Sequence, residues 1–340
     1  MIDDPVRIVE ADVQPFSLRL SRPWQSARGV LHRREGWLIR LVDAEGISGM
    51  GECGPMPEAG TESAARAGRS LGEWSSRLPG RTVAQAWEDL ESDGPGPAAR
   101  CALESALLTI GARRKGLPIA RLLNPAAPSV VQVSGNIGIA DDGLSERAAN
   151  AVRRGFGILK VKLGIGEPRQ ERRDLHRLLE DLPDGILLRL DANGAWDAGT
   201  AADWLDCLAG MPVESLEEPV SEPNPAVLET LQARASFALA LDESLPKFIS
   251  MGLTSRLPVR RLVVKPMVLG GLRPALGLAA TGSELVVTTT VDAAPGRWMA
   301  AHLAAALDSG LAHGLDTGGW LAEDVGAGPV IDRGRCRLFG

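Results

Sequence analysis

Lysines and carboxylates recur at a near-constant interval through the middle of this 340-residue chain. From Lys162 the steps to Asp191, Glu217, Asp242 and Lys265 are 29, 26, 25 and 23 residues, and Lys160 stands two positions ahead of the first. Three convergent carboxylates offer hard oxygen ligands to Mg²⁺, or to Mn²⁺, ions that keep coordination positions open for substrate oxygens. A substrate carboxylate held there becomes a stronger acid at its α-carbon, because the cation neutralises the charge that deprotonation creates. A base must then stand beside that carbon. Lysine is a poor base at its ordinary pKa of about 10.4, but burial and a like charge both disfavour its protonated form. Lys160 and Lys162 share one strand face at period two, so beside a divalent cation each is expected to lower the other's proton affinity. The same geometry puts Arg189 next to Asp191, facing the same mouth. Lys265 would act from the opposite side, as a second base or a fixed cation.

Each of these residues alone has a plainer explanation. Asp191 or Asp242 could cap a helix, Glu217-Glu218-Pro219 could be an exposed turn, and a terminal lysine could reach out to water. The register is what argues against three unrelated caps, because it places the carboxylates on consecutive predicted strands flanked by lysine-bearing ones.

The elements that must hold these groups are legible from periodicity. Residues 6–52 alternate as strands joined by turns, and 63–123 carry helical spacing with breaks at Pro79-Gly80 and Gly94-Pro95-Gly96-Pro97. This predicts an α+β unit over residues 1–123, completed by the tail 321–340. After Asn124-Pro125 short apolar runs alternate with amphipathic stretches, with strands expected at 130–133, 158–162, 187–191, 215–217, 238–242, 262–265, 285–289 and weakly at Gly314-Leu315. Eight such units over 124–320 predict a compact α/β fold, a (β/α)8-type TIM barrel whose strand ends converge on one mouth. A doubly wound open sheet is the competing architecture.

Composition narrows the function. Hydrophobic residues make up 44% and the formal net charge is −6, which suits a folded domain and gives a nucleic-acid partner no electrostatic support. The acidic start lacks a leader pattern and no run approaches a membrane span, so a cytoplasmic protein acting on a small carboxylate substrate is expected, without membrane insertion. Four scattered cysteines indicate neither a disulfide framework nor a zinc site. His32, His176, His302 and His313 share no ligand spacing and read as structural or exposed. Arg28 and His32 fall where a loop could close over a substrate.

Taken together, Leu159-Lys160-Val161-Lys162-Leu163-Gly164, Arg189-Leu190-Asp191-Ala192-Asn193-Gly194, Leu216-Glu217-Glu218-Pro219, Leu241-Asp242-Glu243-Ser244 and Val264-Lys265-Pro266 resemble the muconate-lactonizing subgroup of the enolase superfamily. Gly49-Met50-Gly51-Glu52-Cys53-Gly54-Pro55 looks like that family's capping-domain loop. The resemblance implies a modified (β/α)7β barrel with Mg²⁺ on Asp191, Glu217 and Asp242. It further implies Lys162 as the acid/base, Lys265 as a cation near the reacting ring, and Lys160 orienting the substrate carboxylate. Asn193 and Arg189 would serve substrate or ordered water, with Glu218 and Glu243 supporting the ligands.

Within the superfamily, Thr288-Thr289-Thr290 and Gly314-Leu315-Asp316-Thr317 resemble segments by which the o-succinylbenzoate synthase family holds a succinyl carboxylate, with threonines where serines are usual. That likeness implies a syn dehydration in menaquinone or phylloquinone synthesis. An N-succinylamino acid racemase, a dipeptide epimerase and a muconate-type cycloisomerase use the same lysine pair and remain open. A reading of another class takes Gly164-Ile165-Gly166 or Gly270-Gly271 as a phosphate cradle in a non-catalytic barrel.

Overall fold

The computed structural model describes residues 4–26, 29–253 and 257–339; Arg28 lies outside them. The chain opens with an antiparallel sheet in the order β1 (Ile8–Ser26), β2 (Gly29–Asp43), β3 (Ser48–Cys53). Four helices follow: α1 (Ala64–Arg77), α2 (Val83–Ser92), α3 (Pro97–Arg114) and α4 (Ile119–Leu123). Helix α2 starts at a capping box between Thr82 and Gln85. Helix α3 starts with Pro97 at its first turn, and the Glu62 carboxylate accepts the N–H groups of Ala98 and Ala99 at 3.0 Å each. It is buried almost all round, as a helix must be when it packs on a sheet on one side and on a second layer on the other.

A short strand, β4 (Val130–Gln132), precedes seven parallel strands: β5 (Gly135–Ile139), β6 (Ile158–Lys162), β7 (Leu187–Asp191), β8 (Val213–Glu217), β9 (Ala238–Leu241), β10 (Arg261–Val264) and β11 (Glu284–Val287). These seven lie side by side in chain order. The connections carry α5 (Leu144–Arg153), α6 (Pro168–Asp181), α7 (Ala198–Leu208), α8 (Pro225–Arg234), α9 (Leu245–Ser250), and the short pair α10 (Pro266–Leu269) and α11 (Leu272–Gly277). Helix α12 (Ala294–Leu307) comes after the last strand. Leu159, Val161, Leu188, Leu190, Leu216, Leu239 and Leu241 pack into the main apolar core. The intervening residues, Lys160 and Lys162 among them, belong to the other face of the pleat.

The sheet closes into a barrel through a seam rather than a full eighth strand. His313 donates its N–H to the Gln132 carbonyl at 2.9 Å and its carbonyl accepts from Ser134 N–H at 2.9 Å, while Gly314 N–H bonds to the Val287 carbonyl at 2.8 Å. The imidazole completes the junction, with Nδ1 accepting the Val287 N–H at 3.0 Å. The chain is therefore a modified (β/α)7β barrel under an antiparallel cap, and the open-sheet alternative is discarded.

Strand propensity points to the wrong sheet at one place. Residues 130–133 are expected in the barrel, but β4 pairs antiparallel with β13 (Arg335–Arg337), which also pairs with β12 (Ile331–Asp332). The true first barrel strand, Gly135-Asn136-Ile137-Gly138-Ile139, carries two glycines and has little intrinsic strand propensity, whereas Val130-Val131-Gln132-Val133 has much. Propensity marks a strand without naming its sheet. The tail also meets the cap, where Leu321 bridges to Leu20 and Ala322 N–H bonds to the Arg19 carbonyl at 2.9 Å. All four cysteines are free, and no helix of the described residues is long and apolar enough to cross a membrane.

Burial, with the Arg189 charge nearby, lowers the His313 pKa to about 3. The unfolded chain thus binds a proton below pH about 6.5 that the folded chain refuses until about 3. Stability from this group is complete above pH about 6.5 and falls as pH drops through that window. Urea titrations should show His313→Ala losing about 2–4 kcal/mol at pH 7, through an orphaned Val287 N–H and a cavity. His313→Asn, which can still accept the bond, should lose less and show a shallower acid slope.

Candidate active site

The strand ends converge as the spacing requires. Lys160, Lys162, Asp191, Asn193, Asp242, Glu243, Lys265, Thr288, Thr289 and Gly314 all line one cavity of about 110 Å³ at the mouth of the barrel. Glu217 lies just beneath, 1% exposed, and Asp191 and Asp242 are nearly as buried. Three carboxylates so placed demand compensation. The Lys160 ammonium sits between Asp191, at 2.9 Å, and Glu217, which it also touches. Lys265 Nζ lies 2.6 Å from Asp242 Oδ1.

These pairings set the protonation pattern. Burial alone would lower the Lys160 pKa, but Asp191, Glu217 and Asp242 outweigh it and hold the ammonium above its usual range. Lys265 is raised in the same sense by Asp242 and Glu243 against its own burial. Asp191 resists the upward pull of burial because Lys160 and Lys162 hold its pKa down. The mutual depression expected of the two strand-mates presupposes a divalent cation beside them; with the carboxylates alone, Lys160 is a firmly held cation. Glu243, bonded to Asn193 Nδ2 at 3.1 Å, is pushed up to about 8 by burial and by the Asp242 charge.

The donor set fits a hard divalent cation in kind: oxygens only, on three consecutive strands, close enough that Asp191 and Asp242 each raise the Glu217 pKa. Among the described residues no three acidic, histidine or cysteine groups are drawn together to hold an ion. The two lysines share the carboxylates instead.

Supports stand where the sequence placed them, in part. The Glu218 carboxylate accepts Asp242 N–H at 2.6 Å, Ser244 N–H at 2.9 Å and the Ser244 hydroxyl at 2.7 Å, fixing the loop behind Asp242. Thr288 donates to the Gly314 carbonyl at 2.9 Å, and a Cβ on Gly314 would stand 2.8 Å from the Thr288 hydroxyl, so a larger residue there would have to displace Thr288. Thr289 and Thr317 hydroxyls meet at 2.9 Å. Thr290 is a correction: it turns away from the cavity and donates to Asp292 at 2.6 Å.

Arg189 is the larger correction. It does not face the mouth. It lies below, 1% exposed, bound to Glu214 at 3.0 and 3.1 Å and to the Ala312 carbonyl at 3.0 Å. Arg261 also contacts Glu214 and pairs at 2.7 Å with the half-exposed Glu284, so a charged layer lies in the barrel under the site. The two guanidiniums overcome burial and hold the Glu214 pKa near 2.

Both glycine cradles are filled from within. Glu171 accepts the N–H groups of Gly164, Ile165 and Gly166 at 2.9–3.0 Å, and Glu104 presses on Gly271 and accepts Arg273 N–H at 2.8 Å. Phosphate would have to displace a buried carboxylate at either place, and the phosphate-binding reading falls.

The cavity also holds Ser134, Asn136, Val291, Asp316, Thr317 and Trp320. Sequence reasoning misses Ser134 and Asn136 because it assigns the first barrel strand to residues 130–133. Arg22 of β1 stacks its guanidinium 4.0 Å from the Trp320 ring, so the cap hairpin reaches the cavity's edge, while His32 is exposed.

With this geometry in place, comparison with known proteins is decisive at the level of family. Residues 8–124 match the mandelate racemase / muconate lactonizing enzyme N-terminal domain, and residues 143–338 match the enolase C-terminal domain-like family. The chain belongs to the enolase superfamily. It is 31% identical to an o-succinylbenzoate synthase of Thermosynechococcus vestitus, over 66% of this chain and 65% of that one. It is 28% identical to a hydrophobic dipeptide epimerase of Roseobacter litoralis, over 79% and 78%. The structure of a dipeptide epimerase from Methylococcus capsulatus, complexed with Mg and the dipeptide L-Arg-D-Lys, superposes with a TM-score of 0.85 at 26% identity, covering 98% of this chain and 97% of that one. The superfamily is one of enzymes, and its members bind Mg²⁺.

The lower charged layer predicts a division of labour. Arg189→Met should cost about 3 kcal/mol in denaturant titration, because Glu214 is left with a single guanidinium in a buried place. The folded fraction should keep its KM, since Arg189 does not reach the cavity.

Proposed function

We propose that this enzyme is an o-succinylbenzoate synthase, a lyase that dehydrates 2-succinyl-6-hydroxy-2,4-cyclohexadiene-1-carboxylate. The observation that carries the choice is the polarity of the cavity's far end. That end presents the hydroxyls of Thr289 and Thr317, whose mutual bond uses only one of their two protons, and its carboxylate, Asp316, is already paired with Arg154 at 3.0 Å. Hydroxyl donors suit a succinyl carboxylate; a dipeptide would bring a free ammonium to an acid whose charge is spoken for.

At the other end, Asp191, Glu217 and Asp242 would hold Mg²⁺, or Mn²⁺, which supplies positive charge where the substrate carboxylate gains electron density. Lys162 takes the α-proton and, as its ammonium, returns a proton to the departing hydroxyl on the same face. Lys265, reaching the same cavity from the sixth barrel strand, faces the other side of the ring as a cation. Lys160 keeps its charge beside Asp191 and Glu217 and orients the carboxylate, Asn193 and Glu243 border it, and Glu218 holds the loop of Asp242 in place.

A second reading keeps the same lysines and changes the outcome. Placed on opposite sides of one cavity, Lys162 and Lys265 could both serve as bases in an N-succinylamino acid racemase or dipeptide epimerase, and a muconate-type cycloisomerase would use the same frame. Proton NMR in D₂O separates them. Dehydration of the cyclohexadiene substrate is expected, and α-deuteration of an N-succinylamino acid or dipeptide without it would overturn the proposal.

Two further outcomes are expected. Lys162→Ala should lower kcat for o-succinylbenzoate formation by about 10³-fold. EDTA should abolish the activity and added Mg²⁺ restore it, while Asp242→Asn should remove the Mg²⁺ heat signal in calorimetry.

A further inference from the structure

Lys265 closes the sixth barrel strand and opens α10, whose Val268 and Leu269 N–H groups bond back to the Lys265 carbonyl at 3.0 Å each. The chain then reverses at Gly270 and Gly271, with φ of +84° and +134°. The far side of that reversal is held by the cap. Glu104, fully buried in the middle of α3, accepts Arg273 N–H at 2.8 Å. Arg100, one turn earlier on the same helix, pairs with Glu104 at 3.1 Å and donates to the Gly270 carbonyl at 2.6 Å. A Cβ on Gly271 would stand 2.4 Å from Glu104 Cδ, so the carboxylate lies directly against this peptide. Gly54 N–H adds a contact to Met267 Sδ at 3.3 Å.

Burying a carboxylate is costly, and here burial raises its pKa. A helix resting on a loop could be built from apolar side chains at less cost. What a carboxylate adds is direction: it fixes the Arg273 N–H at the start of α11 to within a few tenths of an ångström, just across the Gly270-Gly271 reversal from the one-turn helix α10, whose N-cap residue Lys265 presents its ammonium to the cavity.

We propose that Glu104 is a positioning residue for Lys265, by which the cap sets the placement of a group in the barrel's site. This rests on the reading of Lys265 as a group that faces the reacting carbon. A displacement of about 1 Å at such a group costs on the order of 10²-fold in rate, whereas loosening a loop remote from chemistry lowers stability alone.

The test compares Glu104→Ala and Glu104→Gln with the parent enzyme by hydrogen–deuterium exchange and by kinetics, at a temperature where all are folded. Amide exchange across 266–273 should rise about tenfold or more, while exchange across 163–171, behind Lys162, stays as in the parent. For o-succinylbenzoate formation kcat should fall about 10- to 100-fold with KM changed by less than about threefold. In a Lys265→Ala background the same Glu104→Ala change should cost no more than about twofold, because its effect passes through Lys265. Unchanged exchange at 266–273, or a full multiplicative loss in the Lys265→Ala background, overturns the proposal. If Glu104→Ala does not fold, Glu104→Gln and Arg100→Leu are read by the same criteria. If the parent proves to be an epimerase, the kinetic cycle is run on α-proton exchange instead. The amide readout does not depend on which reaction the enzyme performs.

Discussion

Three carboxylates buried within one barrel mouth cannot coexist without nearby positive charge, and the rest of the site is determined by how that charge is supplied. Two charged layers occupy the interior of this barrel, and they solve the problem differently. In the lower, Arg189 and Arg261 grip Glu214 and Glu284 with planar forks, several hydrogen bonds at once. In the upper, Lys160 and Lys265 meet Asp191, Glu217 and Asp242 as point charges on flexible stems. A guanidinium fork locks its partner, whereas an ammonium can be traded for another cation without undoing a fixed geometry. The lower layer is thus the fixed one, and the upper is held by contacts that exchange more readily.

The loops beyond the strand ends are fixed by a recurring device. Glu171 gathers three N–H groups behind Lys162, Glu218 two behind Asp242, Glu104 one behind the Lys265 helix, and Glu52 those of Ala293 and Gly296 behind Thr290. Each carboxylate is almost wholly buried and takes up donors that an irregular loop would otherwise leave unpaired. Two of the four come from the cap. The pocket's skeleton is therefore shared between both parts of the chain, although nearly all the groups that face the substrate belong to the barrel.

Much of this is legible in the sequence, and the failures have a common cause. Period-two alternation puts Lys160, Lys162, Asp191 and Glu217 on the inward face, and the regular interval brings their strands side by side. The same period puts Arg189 on that face too, but alternation names a face and not a depth, and one step of two residues down a tilted strand separates cavity from charged layer. Thr290 fails for a related reason, since the strand ends at Val287 and alternation has no authority beyond it. His313 carries no signal because its role is to bridge two strands distant in the chain. The glycine pairs advertise open backbone N–H groups correctly. What sequence does not tell is that Glu171 already takes those of the first run, while Gly270 and Gly271 bond back to the Pro266 carbonyl with Glu104 pressed against them.

The site also divides along its length, which explains how one frame can serve relatives named for a synthase and for epimerases. The charged end comes from the ends of β6 to β10, where each residue answers to the others through shared charge, so no single change is tolerated cheaply. The far end comes from the segment beyond β11 and from the seam run Gly314-Leu315-Asp316-Thr317, where contacts are pairwise: Thr288 with Gly314, Thr289 with Thr317, Asp316 with Arg154. Pairwise contacts can be altered one at a time without disturbing a buried charge balance. On the proposed reading, substrate choice would change at this end while proton transfer stayed with the charged one, and the Asp316–Arg154 pair is where a preference for carboxylate over ammonium would be written or erased.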